Sequence, residues 1–77
     1  MSRSLDDPRY ESLIKLLRSK RLESDLTQID VADAMGKSQS FVAKIEGLER
    51  RLDVLEFIDL CRTLAIDPKT VLRKLKF

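Results

Sequence analysis

Residues 28–45 read QIDVADAMGKSQSFVAKI, and the order of small, apolar and polar side chains along them decides the fold. Thr27 stands just before the stretch and Asp30 three positions later, a capping box with Asp in its third place, so a helix starts at Gln28. Val31, Ala32 and Met35 face inward on that helix, and Gly36 ends it after two turns, where the chain must take a positive φ. Ser38 caps the next helix, which contains Val42 and Ile45 and stops near Glu46-Gly47. Helices this short, joined by so tight a turn, cross steeply instead of lying side by side, and the crossing needs a small residue where the backbones approach. Ala32 fills that need, while Val42 and Ile45 point back toward Val31 and Met35.

The flanking sequence is helical throughout. Asp7-Pro8 offers a capping carboxylate followed by proline at the first helical position, where its missing N–H costs nothing. Tyr10, Leu13, Ile14 and Leu17 follow at helical spacing, which predicts a helix over Pro8–Glu23 closed by Asp25 in the left-handed conformation. Asp53-Val54-Leu55-Glu56 is a second capping box, opening a helix whose inner positions read as Val54, Phe57, Ile58, Cys61, Leu64 and Ala65. Asp67-Pro68 repeats the first device, with Val71, Leu72 and Leu75 inside. No segment alternates like a strand, so the chain is expected to be all-α, a five-helix bundle making one domain over residues 1–77.

A chain of 77 residues buries a small core, and the usual reinforcements are closed to it. It has one cysteine, Cys61, and no histidine, so neither an internal disulfide nor an ordinary zinc site is available, and no metal or cofactor is expected. Cys61 reads as a core residue. No apolar run is long enough to span a bilayer, and Met1-Ser2-Arg3-Ser4 is not the start of a signal peptide, which points to a cytoplasmic protein. Enzymatic chemistry finds no support: there is no histidine, no nucleophile–base pairing and no phosphate-binding glycine loop. Asp30 and Asp33 share a helix face but read as first-turn charge and solvated surface.

Net charge is +2, yet it is distributed in blocks: +3 over residues 1–21, −4 over 22–36, +2 over 37–51, −3 over 52–67 and +4 over 68–77. Blocked charge of this kind is what one face turned to phosphates and another kept acidic would give, although solvated helix faces account for part of it.

Counting Gln28 as the first position, Ala at five, Gly at nine and apolar residues at fifteen and eighteen make the helix-turn-helix spacing. Leu26-Thr27-Gln28, Val31-Ala32, Met35-Gly36, Ser38-Gln39-Ser40, Val42 and Lys44-Ile45-Glu46 resemble the lambda-repressor-like, Cro-type (XRE family) DNA-binding domains, over about residues 9–75. Two positions depart from the pattern: Lys37 where an apolar residue is usual, and Asp25 where glycine is common. The resemblance implies a transcriptional regulator that binds double-stranded DNA, with the second helix of the pair in the major groove.

On that helix Gln39, Ser40 and Lys44 face away from Val42, Ile45 and Glu46 and are the candidates for reading bases. Gln pairs bidentately with adenine N6/N7, and Lys donates to guanine O6/N7. Phe41 flanks this face and either touches a thymine methyl or packs against the fourth helix. The phosphate candidates are Gln28, by resemblance, with Lys37 and Ser38 in the turn and Arg50 and Arg51 in the following loop. The alternative for the arginines is a solvated loop or ion pairs with Glu49 and Asp53, and for Gln28 simple capping. By resemblance, too, Arg21 and Glu46 form a partly buried ion pair that fixes the recognition helix against the first helix.

A single domain of this size leaves no room for a ligand sensor and binds weakly at physiological salt, so a homodimer on a palindromic operator, acting as a repressor, is expected. Its interface is placed on the last helix and on Leu75 and Phe77. Three other functions fit the same residues: an antitoxin with a toxin partner, a restriction–modification controller, or a protein–protein module without DNA; a toxin or antirepressor is the candidate protein partner of the regulator. The polar outer face of the recognition helix disfavours the last.

Overall fold

The computed structural model describes residues 7–76. Five helices follow in order: α1 (Pro8–Glu23), α2 (Gln28–Met35), α3 (Gln39–Glu46), α4 (Val54–Thr63) and α5 (Pro68–Lys74). Each begins on an oxygen-bearing side chain that accepts a backbone N–H of the first turn. Asp7 takes that of Arg9, Thr27 that of Asp30, Ser38 that of Phe41, Asp53 that of Glu56 and Asp67 that of Lys69. The Thr27/Asp30 and Asp53/Glu56 pairs are complete capping boxes, since the acidic side chain in each also accepts the N–H of the cap residue.

The exits are equally regular. Asp25, Gly36, Leu48, Ala65 and Lys76 all carry φ between 57° and 68°, the left-handed region. At four of these exits the next N–H bonds back five residues: Leu26 to Arg21 O (3.1 Å), Lys37 to Ala32 O (2.9 Å), Glu49 to Lys44 O (2.8 Å) and Ile66 to Cys61 O (2.9 Å). This is the hydrogen-bond pattern that satisfies the last carbonyls of a helix. Only Gly36 suits the conformation without steric cost. Gly47 has φ −82°, and the left-handed turn after α3 falls on Leu48 instead.

The core joins all five helices. Ile14 and Leu17 come from α1, Val31 and Ala32 from α2, Val42 and Ile45 from α3, Leu60 and Cys61 from α4 with Leu64 just beyond it, and Val71 from α5. Helix α2 packs on both α3 and α4, α1 packs on α3, and α5 packs on α4. Val31 and Cys61 are wholly enclosed, and burial, with a smaller effect from the Asp67 charge, pushes the Cys61 thiol up to about 11, so it stays protonated and inert. Among the described residues no helix is long and apolar enough to cross a membrane.

Three assignments on the last two helices need correction. Val54, the first residue of α4, is 72% exposed, as is Leu55 beside it, so the covered stripe of the helix begins only at Phe57. Leu60 takes its share of the burial on the stripe Phe57, Leu60, Cys61, Leu64. Ala65 is exposed because it is the left-handed exit and no longer helical, and Leu72 is 37% exposed at the rim of α5. Leu75 is half-buried against the core, and Phe77 lies outside the described residues.

The exits can be tested in opposite directions. A Cβ at Gly36 meets no atom within 4 Å, so Gly36→Ala carries only the backbone cost and should destabilise by about 1 kcal/mol. Ala65→Gly relieves the same cost at an exposed position and should stabilise by about 0.5–1 kcal/mol. Urea denaturation checks both, as a lower and a higher midpoint at unchanged m.

Candidate nucleic-acid interface

The Thr27 cap, the left-handed Gly36 and the Ser38 cap define a crossed pair, α2 and α3, whose inner faces meet at Val31, Ala32, Val42 and Ile45. Because α3 is only eight residues long, burying Val42 and Ile45 turns Gln39, Ser40 and Lys44 to solvent, and all three are exposed. Lys37 and Ser38, in the turn, are exposed as well. The Ser38 hydroxyl oxygen accepts the Phe41 N–H at 3.1 Å, which leaves its own proton free to donate.

Beneath this surface lies an ion pair. Arg21, buried near the end of α1, donates through Nε to Glu46 Oε2 (2.6 Å) and through Nη2 to Oε1 (2.9 Å), while Nη1 donates to the Leu26 carbonyl at 2.8 Å. Arg18 Nε stands 3.7 Å from Glu46 Oε1. Burial works to raise the Glu46 carboxyl, but the hydrogen bonds from Arg21 and Gln28, with the charges of Arg21 and Arg18, outweigh it and hold the group below its ordinary value. The bond to Leu26 also ties down the turn between α1 and α2, so one guanidinium fixes the bottom of α3 and the entry to α2 together.

The same carboxylate reaches the surface through two amides. Gln28 Nε2 donates to Glu46 Oε1 at 3.0 Å, and Gln39 Nε2 donates to Gln28 Oε1 at 2.8 Å. A carboxylate only accepts, so it draws the NH₂ of Gln28 inward and turns the Gln28 oxygen toward Gln39. Gln39 then keeps its oxygen and its second amide hydrogen free. That donor–acceptor edge is the one that matches adenine in the major groove. Gln28 is therefore more than a first-turn residue: the cap is Thr27, and the Gln28 side chain relays between α2 and α3.

A second cluster sits where the turn meets the loop after α3. Arg50 donates from Nη1 to Glu56 Oε1 (3.0 Å) and from Nη2 to Glu56 Oε2 (3.1 Å), not to Glu49 or Asp53. Its guanidinium carbon lies 4.6 Å from the centre of the Phe41 ring. Lys37 Nζ is 5.3 Å from the same ring centre and 4.0 Å from Glu56 Oε2. Phe41 is half-buried against the core, with these cations over it, and Arg51 is exposed beside Arg50.

Residues 17–71 match the helix-turn-helix family. An XRE-family like protein from Pseudomonas syringae pv. tomato str. DC3000 is 47% identical, with a TM-score of 0.86 over 88% of this chain and 83% of that one. The chain belongs to the XRE-type helix-turn-helix family. Two further structures are alike. A mutant of the restriction-modification controller protein C.Esp1396I superposes with a TM-score of 0.82 at 20% identity, over 91% of this chain and 89% of that one, a likeness of fold. The restriction-modification controller protein C.AhdI from Aeromonas hydrophila gives 0.70 at 26% identity, over 84% of this chain and 99% of that one. No curated protein matches the chain. The family's members are DNA-binding regulators and not enzymes, and the XRE-type domain described here is one of them.

Three side chains and one contact of the XRE-type domain escape a reading of the sequence. Arg18 carries no signal beyond its place one turn before Arg21. Glu56 reads only as a capping residue, and Tyr10 only as an apolar one. The bond between Gln28 and Glu46 joins residues 18 apart and has no local signature.

The carboxyl of Glu46 titrates lower in the folded chain than in the unfolded one, so its stabilisation is complete above the ordinary carboxylate range and is lost as pH falls through the lowered value. Glu46→Gln should accordingly flatten the acid limb of a stability–pH curve followed by urea denaturation. Arg21→Ala leaves the partly buried carboxylate with only the Gln28 amide and the more distant Arg18, and should cost about 3 kcal/mol near neutral pH, the low end for a broken buried pair.

Proposed function

We propose that this chain is a sequence-specific transcriptional regulator, a repressor that binds a palindromic operator as a homodimer in the cytoplasm. The observation that carries the reading is the outward face of α3 in a family of DNA-binding regulators: Gln39, Ser40 and Lys44 stand exposed, and the Gln39 amide is oriented by Gln28. In the major groove Gln39 pairs with an adenine, Lys44 donates to a guanine and Ser40 takes a neighbouring base edge. Gln28, Lys37, Ser38, Arg50 and Arg51 contact phosphates and set the register, and Phe41 lies close enough to that face to meet a thymine methyl.

Dimerisation is supported by the energetics of binding. One domain with a handful of phosphate contacts binds weakly, whereas two placed about 34 Å apart engage successive major grooves on one side of the duplex. The proposed interface is α5 with Leu75 and Phe77, to which Leu72, 37% exposed on the same helix, adds apolar surface. Residues 1–77 are proposed to form one domain, with a toxin or antirepressor as the candidate protein partner. A second reading, a restriction–modification controller, is favoured by the likeness to C.AhdI along 99% of that protein.

A duplex titration at two salt concentrations tests the core of this reading. Binding should weaken steeply as salt rises; absence of binding to any duplex would point to a protein–protein module instead. Gln39→Ala and Lys44→Ala should each keep the fold and lose about 1–3 kcal/mol on the selected operator but little on random DNA. Selection from a random pool supplies that operator, and normal binding by either variant removes its residue from base readout.

A further inference from the structure

Arg50 looks, by its ion pair with Glu56, like a cation withheld from DNA. The geometry gives the opposite role. Glu56 takes the edge formed by Nη1 and Nη2, and the second Nη1 hydrogen goes to the Arg51 carbonyl at 3.1 Å. Nε and the second Nη2 hydrogen remain, side by side on the other edge of the planar group, and the side chain is 42% exposed. Two parallel donors in that arrangement fit a phosphate bidentately.

Three contacts from three parts of the chain hold the group in this pose. The guanidinium carbon sits over the Phe41 ring, 4.6 Å from its centre. Glu56, itself fixed by accepting the Asp53 N–H at 3.0 Å, grips its inner edge. Tyr10, far away in α1, fixes the backbone that carries it: the phenol hydroxyl donates to the Arg50 carbonyl at 2.9 Å and accepts the Leu52 N–H at 3.2 Å. Lys37 Nζ, 4.0 Å from Glu56, offsets the negative charge brought near the duplex.

We propose that Tyr10, Phe41 and Glu56 form a cradle that presents the free edge of Arg50 as a preorganised phosphate-binding site, and that Tyr10 and Glu56 are positioning residues for DNA binding. A long cationic side chain loses its rotamer freedom when it grips a ligand, and the cradle meets that cost during folding, before DNA arrives. Glu56 helps binding even though it is an anion. The inference rests on the DNA-binding reading above, with Arg50 on a phosphate.

Tyr10→Phe is the decisive variant because it alters no charge and leaves the ring in place. Binding to a random-sequence duplex should weaken about three- to ten-fold, and Arg50→Ala should lower the log–log salt slope by about 0.9, one contact's share. In an Arg50→Ala background, Tyr10→Phe should have no further effect on affinity. A purely structural tyrosine would instead lower the melting temperature and leave the affinity of the folded protein unchanged, or would add independently to Arg50→Ala; either result overturns the proposal. Glu56→Gln, which keeps the capping box, should weaken binding too, and tighter binding by this variant would make Glu56 a competitor and sink the idea.

The cradle is also readable without DNA. In the free wild-type protein the Arg50 Nη–H groups held by Glu56 should give separate, resolved NMR signals, because rotation of the guanidinium is blocked, and Tyr10→Phe and Phe41→Leu should both collapse them. If those signals behave as stated but the wild type binds no duplex, the DNA-binding reading fails and the cradle stands; if the signals are already averaged in the wild type, the cradle itself is wrong.

Discussion

Arg21 and Glu46 lie 25 residues apart in the chain, and the two bonds between them are what give α3 its direction. The helix is two turns long and would not persist alone, so its pose comes entirely from tertiary contacts. Val42 and Ile45 set which side faces in. Apolar packing of two side chains nevertheless tolerates rotation and sliding, whereas a fork of N–H donors on a carboxylate fixes distance and angle together. A buried pair of this kind adds little to net stability compared with well-packed hydrocarbon, and its value here is orientation. By also binding the Leu26 carbonyl, Arg21 locks the start of α2 into the same frame.

From that pair the order of the structure spreads outward along polar side chains. Glu46 holds Gln28, and Gln28 holds Gln39, so a charge in the interior decides which amide atom stands at the surface. The Arg50 cluster repeats the logic at the loop, where a carboxylate, a ring face and a phenol constrain a cation. Both arrangements transfer rigidity from the core to side chains that would otherwise sample many rotamers. Preorganised contacts of this kind sharpen specificity, because a mismatched partner cannot be met by cheap rearrangement.

Much of this was legible in the residues themselves. Helix starts are written locally, since an Asp, Ser or Thr side chain accepts a backbone N–H within the next three positions, and α1 to α5 all begin that way. Exits were harder to read. Gly36 and Asp25 tolerate a left-handed backbone, but nothing in Leu48, Ala65 or Lys76 favours it, and at Leu48 and Ala65 the turn goes with the packing of Leu52 and Ile66 against the core. Along α4 the periodicity admitted Val54 and passed over Leu60, because a 3.6-residue pattern does not reveal where the covering surface stops. The relays were invisible for a different reason. Tyr10 meets the loop across 40 residues, and Glu56 meets Arg50 from the neighbouring element, so no spacing rule links them.

Four helices that finish on residues with a Cβ in the left-handed region, each at a cost on the order of 1 kcal/mol, give this small protein a native state shallower than its packing alone would allow. A shallow native state means a larger transiently opened population, which is the form that proteases cut. Turnover is therefore written into the helix exits, and the half-life can be retuned at exposed positions such as Ala65, well away from the outward side chains Gln39, Ser40 and Lys44 of α3.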